Sequence, residues 1–301
     1  MTDVGVVVMA YGTPASPDEI EEYYTHIRRG RPPSPEQLEE LRGRYEAIGG
    51  TSPLVECTLA QVAAIRRALG DGFVVQPGTK HGRPRIEDAV DSLAAAGVEA
   101  LIGLVLAPHY SELSVGEYTA RLLSAAAAHG LPARTIPSWH TLPALIEALA
   151  SRVLTAIATD DVEVLFTAHS LPARILDTSD PYRGQLEETA ALVAEACGLT
   201  RWRIAWQSAG RTPEPWLGPD LCDVLRALPD EGTKHVVVCP AGFTSDHLEV
   251  LYDIDIEARR VAADCGLELV RTSSLNDDPA VCSSLASLIA AEAKKLAPVS
   301  G

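Results

Sequence analysis

Positive charge is scarce in this chain. Its 301 residues carry 25 lysines and arginines against 41 aspartates and glutamates, a formal net charge of −16. Nucleic acids are bound by basic surfaces, so this balance excludes them as partners. It also offers no electrostatic attraction to an anionic membrane. Long apolar runs are missing too: none approaches the ~18 residues of a spanning helix, so no membrane insertion is expected. The opening M-T-D-V-G-V-V-V-M-A has an apolar run but no basic flank, and reads as a buried strand rather than a signal peptide. Closely spaced cysteines are absent. Cys57, Cys197, Cys222, Cys239, Cys265 and Cys282 are never nearer than 17 residues, which excludes C-x-x-C zinc or redox pairs and local iron–sulfur motifs. Scattered thiols without a signal peptide fit a reducing cytoplasm and mostly buried, inert cysteines.

What is present is an ordinary enzyme composition, 47% hydrophobic and 22% charged, with length enough for two domains. Short β-branched runs alternate with longer helical patterns. Strands are expected at Val4–Ala10, Phe73–Pro77, Leu101–Ala107, Ala133–Ile136, Val162–Thr167, Arg203–Gln207, His235–Cys239 and Glu268–Val270. Continuous apolar strands spaced by helices predict an α/β fold with parallel sheets covered on both faces. There is an internal echo. V-V-V-M-A-Y-G-T-P (6–14) resembles V-L-F-T-A-H-S-L-P (164–172), and L-V-L-A-P-H-Y-S (104–111) aligns loosely with V-V-C-P-A-G-F-T (237–244). The echo predicts two similar halves, 1–145 and 146–301, with the last helix packing back on the first. Each half would carry a ligand-facing loop at the carboxyl end of its first strand.

Glu249, Asp253 and Glu257 recur every four residues in a predicted helix over 246–264. On an α-helix they share one face, along a line roughly 12 Å long. Such a row is either a solvated acidic face or, with Asp246, His247 and Asp255 nearby, a set of hard ligands for a divalent metal. His169 follows a predicted buried strand in T-A-H-S-L-P. There it can be a metal ligand, a proton acceptor or a satisfied polar residue beside the core. Tyr11 holds the equivalent place in the first half, and a phenol can also ligate metal.

Six segments then resemble the ferrochelatase family, in its order and over nearly the whole chain. They are M-A-Y-G-T-P (9–14), Y-Y-T-H-I-R-R-G-R (23–31), R-Y-E-A-I-G-G-T-S-P-L (44–54), A-H-S-L-P (168–172), W-Q-S-A-G-R-T-P-E-P-W-L-G-P (206–219) and G-F-T-S-D-H-L-E-V-L-Y-D-I-D (242–255). The resemblance implies two Rossmann-like domains with an active-site cleft between them, and insertion of Fe2+ into a porphyrin in haem biosynthesis. A short acidic chain resembles the Bacillus-type branch, which makes coprohaem from coproporphyrin III; protoporphyrin IX is the alternative substrate. By resemblance, His169 and Glu249 carry the iron and proton chemistry, in roles that stay open between them. Tyr11 would approach the iron from the opposite face as axial ligand in the product. Asp253 and Glu257 match an outer site, either a relay or a place for regulatory Mg2+.

Arg28, Arg44, Tyr45, Ser52 and Tyr118 are placed by the resemblance around the porphyrin and its carboxylates, which guanidinium groups pair bidentately. His81, in G-T-K-H-G, also matches a cleft position. No cofactor is expected beyond substrate iron. The closely spaced C-terminal cysteines that hold a [2Fe–2S] cluster in some relatives are missing, so no cluster is predicted. The implied partners are porphyrin, ferrous iron and transient contacts with neighbouring haem-pathway enzymes. Rival readings fare worse. W-Q-S-A-G lacks the first glycine of a nucleophile elbow, and no G-x-G-x-x-G follows the first strand. A sirohydrochlorin chelatase would share the fold but not the motif series. A non-catalytic porphyrin carrier would have no use for a proton acceptor beside the metal.

Overall fold

The apolar runs build two parallel sheets of four strands each. The computed structural model describes residues 4–159, 161–210 and 212–296. The chain divides into two compact units, one of residues 1–107, 114–138 and 276–301 and the other of residues 108–113 and 139–275.

In the first unit the strands are β1 (Val4–Ala10), β2 (Phe73–Thr79), β3 (Ala100–Val105) and β4 (Ala133–Ile136), in the order β2-β1-β3-β4. β1 pairs in parallel with both β2 and β3, and Val6 to Met9 are fully buried. A central strand covered on both faces has no polar alternation, which is why its sequence reads as one apolar run. Around this sheet lie α1 (Ile20–Ile27), α2 (Pro35–Ala47), α3 (Leu54–Leu69), α4 (Ile86–Ala95) and α5 (Glu117–Ala128). The start of α2 is written in the sequence. Ser34 accepts from the Gln37 backbone N–H, Gln37 reaches back to the Ser34 N–H, and Pro35 opens the first turn, a complete capping box.

The second unit carries β5 (Val162–His169), β6 (Trp202–Gln207), β7 (His235–Cys239) and β8 (Glu268–Arg271), in the order β6-β5-β7-β8. The two sheets therefore repeat one connectivity. Their first strands, β1 and β5, are the segments joined by the sequence echo. α6 (Pro143–Ala156) and α7 (Tyr182–Cys197) belong to this unit, as does α8 (Leu221–Ala227). α8 was not expected from the sequence, since a seven-residue helix is too short for apolar periodicity to register.

The expected α-helix over 246–264 needs correction. Residues Glu249–Ala258 form a π-helix, and only Arg259–Asp264 (α9) is α-helical. Bonds from i to i+5 widen the turn, so the acidic row does not follow the α-helical spacing. Val250, Ile254 and Ala258 of the π-helix are buried in one cluster with Leu165, Leu225, Val236 and Val238. The last helix, α10 (Pro279–Lys294), belongs to the first unit and packs against α3. No described helix is long and apolar enough to cross a membrane.

Candidate active site

The carboxyl ends of β5, β6 and β7 set the position of the second unit's polar cluster. His169 is the last residue of β5 and pairs in register with Gln207, the last of β6. Its backbone carbonyl accepts from the Tyr182 hydroxyl at 3.0 Å. The turn after β7 is pressed against the same strand end: Gly242 donates to the Thr167 carbonyl at 2.9 Å. A Cβ on Gly242 would lie 2.4 Å from that of Ala168, so only glycine allows this approach. The turn leads through Ser245–His247 into the π-helix, whose first residue is Glu249.

His169 and Glu249 meet there. The imidazole Nδ1 lies 3.0 Å from Glu249 Oε2, and His247 Nε2 stands 3.8 Å from the same oxygen. Burial alone would raise the Glu249 carboxyl. The adjoining imidazoles, His169 above all, outweigh it and hold Glu249 well below the usual carboxylate range. Ionised, it can only accept a hydrogen bond. His169 Nδ1 therefore carries the proton, and in the neutral form of the ring the lone pair resides on Nε2. The Gln207 amide donates to the Glu249 carbonyl at 3.1 Å, tying the end of β6 to the first turn of the π-helix.

The remaining acids separate by partner. Asp253 is buried and accepts from the Ser208 hydroxyl; Ser208 itself adopts a left-handed φ of 60°. Glu257 is half-buried, and together with Asp220 and Asp253 it reinforces the effect of burial on Cys222, whose thiol is pushed up to about 12. A thiol so shifted is neither a ready ligand nor a nucleophile. Asp246 and Asp255, counted among nearby ligands in the sequence, are instead held by Arg271, which bonds Asp255 with two nitrogens (2.9 and 2.8 Å) and Asp246 with one (3.2 Å). Among the described residues no three His, Cys, Asp or Glu side chains converge as a metal site. The Arg271 side chain is only 13% exposed, so Arg271→Leu strands two carboxylates. After allowance for their partial exposure, the expected loss is about 2–3 kcal/mol, measurable by denaturant unfolding.

The first unit places Tyr11 just beyond β1, with 41% of the residue exposed. Its carbonyl accepts from the His81 N–H at 2.8 Å, its ring packs 4.7 Å from the His81 ring, and the next carbonyl, of Gly12, accepts from Tyr23. Gly12 has φ 89°, and a Cβ there would lie 2.4 Å from the Gly82 nitrogen. Arg28 caps α1 at its C-terminus; its Nε donates to the Arg31 carbonyl and its guanidinium lies 5.7 Å from the Tyr24 ring centre. Arg44 sits in the last turn of α2, 3.8 Å from Glu40. Both arginines keep accessible surface. The other three residues placed around the porphyrin are buried. Tyr45 bonds Thr13 through its hydroxyl at 3.0 Å, Ser52 accepts from the Leu54 N–H, and Tyr118 lies under the Lys80 ammonium. Lys80 is in turn paired with Glu117.

Sequence reasoning gave no role to Gln207, Ser208 or His26. All three lie inside quoted motifs, and Ser208 was considered only as the serine of a rejected nucleophile elbow. His26 Nδ1 lies 2.9 Å from His81 Nδ1. Burial and the cations around it, Lys80 foremost, push His81 down to about 3, and His26 is lowered by burial, Arg85 and Arg121. Both shifts favour the neutral ring.

The family profile described as Ferrochelatase matches residues 3–293. A coproporphyrin III ferrochelatase of Geobacillus thermodenitrificans is 44% identical over 95% of each chain. One from Oceanobacillus iheyensis is 42% identical over 97% of each, and a ferrochelatase of Herpetosiphon aurantiacus is 44% identical over 91% of this chain and 94% of its own. Among solved structures, SirB from Bacillus subtilis with Fe3+ superimposes with a TM-score of 0.63 over 98% of both chains at 12% identity, a likeness of fold. With a profile spanning almost all of it and near-full-length relatives above 40% identity, the chain belongs to the ferrochelatase family.

Proposed function

We propose that this protein inserts ferrous iron into coproporphyrin III, giving Fe-coproporphyrin III and two protons. The observation that carries the reading is the His169–Glu249 pair at 3.0 Å, in a chain 42–44% identical to relatives named for that reaction.

Metallation replaces two pyrrole N–H protons by iron, which must shed water as it enters the ring. Glu249 stays ionised and fixes the proton of His169 on Nδ1, so His169 Nε2 is the basic atom. It accepts the two pyrrole protons in turn, passing each on to water, and the imidazolium formed each time is stabilised by the adjoining carboxylate. Glu249 thereby orients the base and supplies negative charge for the incoming dication; a depressed carboxylate is the weaker proton acceptor of the two. Tyr11 is the axial ligand of the product iron. Arg28 and Arg44 pair with propionates, while Tyr45, Ser52 and Tyr118 shape the wall from buried positions. Asp253, engaged by Ser208, and Glu257 form the outer part of the acidic row. A regulatory Mg2+ there would keep most of its water, as that ion prefers. Six free cysteines and the reaction's reduced iron suit the cytoplasm.

The test is anaerobic Fe2+ with coproporphyrin III and protoporphyrin IX in parallel, followed by loss of porphyrin fluorescence. Coproporphyrin III should be consumed faster. No acceleration over a protein-free control removes the enzymatic reading, and equal or faster consumption of protoporphyrin IX removes the substrate assignment.

A further inference from the structure

The side chain packed on Tyr11 is itself held by a second one. His81 follows β2 by two residues, and its N–H extends the ladder to the Tyr11 carbonyl at 2.8 Å, one step beyond the Lys80 to Ala10 bond at 2.9 Å. The ladder fixes the two backbones but leaves the rings free to rotate about χ1 and χ2. Ring orientation must come from side-chain partners. The Tyr11 ring is tilted 51° against His81. The His81 ring meets His26 edge-on, at 75° with centroids 5.1 Å apart.

The 2.9 Å separation of the two Nδ1 atoms has one chemical solution. Two N–H groups cannot face each other, and two lone pairs would repel. One ring therefore donates and the other accepts, with a single proton between them. That bond selects complementary tautomers and one orientation for His81. His26 stands in the last turn of α1, on a different element from the two loops it serves. A pocket of about 450 Å³, including its open mouth, lies alongside and is lined by Thr13, Tyr23, His26, His81 and Arg85 among others. Without His26, the His81 ring has space into which to turn.

We propose that His26 is a positioning residue for Tyr11: by fixing the His81 ring, it sets the angle at which the phenol meets the iron of the product. This rests on the assignment of Tyr11 as axial ligand. Its expected size is that of other groups that orient a metal ligand, roughly 10-fold in affinity for the metallated ring.

Ferric coproporphyrin III bound to the protein tests it, because its visible absorption reports the axial ligand and its dissociation can be timed. Four proteins are compared: wild type, Tyr11→Phe, His26→Asn and His26→Gln, with thermal unfolding as a check on folding. Asparagine puts its amide where imidazole Nδ1 lies, whereas glutamine carries it one carbon further. Tyr11→Phe should change the spectrum. His26→Gln should move it toward that of Tyr11→Phe and speed dissociation roughly 10-fold, while His26→Asn stays near wild type. A merely structural role for His26 would lower the unfolding temperature without moving the spectrum. If Tyr11→Phe alters the spectrum and His26→Gln does not, the positioning role is wrong and the Tyr11 assignment stands. Equal effects of Asn and Gln would also overturn it. If Tyr11→Phe leaves the spectrum unchanged, the Tyr11 assignment fails and this proposal with it.

Discussion

Ferrous insertion by His169→Ala should be slower than by the wild type by a factor of roughly 10²–10⁴, the range over which a positioned proton acceptor contributes. The loss is expected to be this large because His169 is the imidazole hydrogen-bonded to the Glu249 carboxylate. Glu249 is held in its ionised form by the imidazoles beside it, and a carboxylate so stabilised binds protons poorly. His247 has its Nε2 3.8 Å from Glu249 but its Nδ1 3.1 Å from the Ser245 carbonyl and its ring against Phe243, which commits it to its own loop. The change removes a half-exposed side chain at a strand end, so the fold should survive. Single-turnover fluorescence with saturating porphyrin isolates the insertion step, and a rate within a few-fold of wild type would contradict the role given to His169.

Glu249→Gln is the second large effect, expected at about 10²-fold or more. Glutamine keeps the shape and removes the charge. Its carbonyl can still accept from His169 Nδ1, but its amide can equally donate and so favour the other tautomer. Either way the imidazolium formed during metallation loses its counter-charge. The pH dependence follows from the sign of the shift. A carboxyl lowered in the folded state stabilises that state above its unfolded pKa, and the contribution is lost only as pH falls through the depressed value. Glu249 therefore remains ionised on going from pH 7 to pH 5, and no loss of wild-type rate in that window arises from its protonation. Near-normal insertion by Glu249→Gln would show that orientation alone suffices and that the charge has no part.

The eight described strands were legible in the sequence as short β-branched or apolar runs between helical patterns. Val162–His169 and His235–Cys239 show this best, since parallel strands buried on both faces leave no alternation to misread. The strand order was not legible from periodicity. It was foreshadowed by the echo, which pairs β1 with β5 and β3 with β7, strands that occupy the same places in the two sheets. His169 was visible as a polar residue ending an apolar run, but its pairing with Glu249, 80 residues away, came only from the family resemblance. What escaped is of two kinds. The π-helix differs from an α-helix by about one residue per turn, and the apolar residues at Val250, Ile254 and Ala258 suit either. The burial of Tyr45, Ser52 and Tyr118, and the contact of His26 with His81 across 55 residues, depend on packing that no local pattern encodes.

The π-helix has a consequence for how damage to this protein would show itself. Its less favourable backbone geometry is sustained by three side chains sunk in the core of the second unit, while Glu249 stands at its first residue. Core packing and the direction of that carboxylate are thus coupled through one rigid element. A change that loosens the packing is expected to shift the helix toward α-helical bonding and turn the carboxylate away from His169. Variants in that core would in this way keep the fold, at lower stability, and be poorer catalysts than the lost stability alone explains.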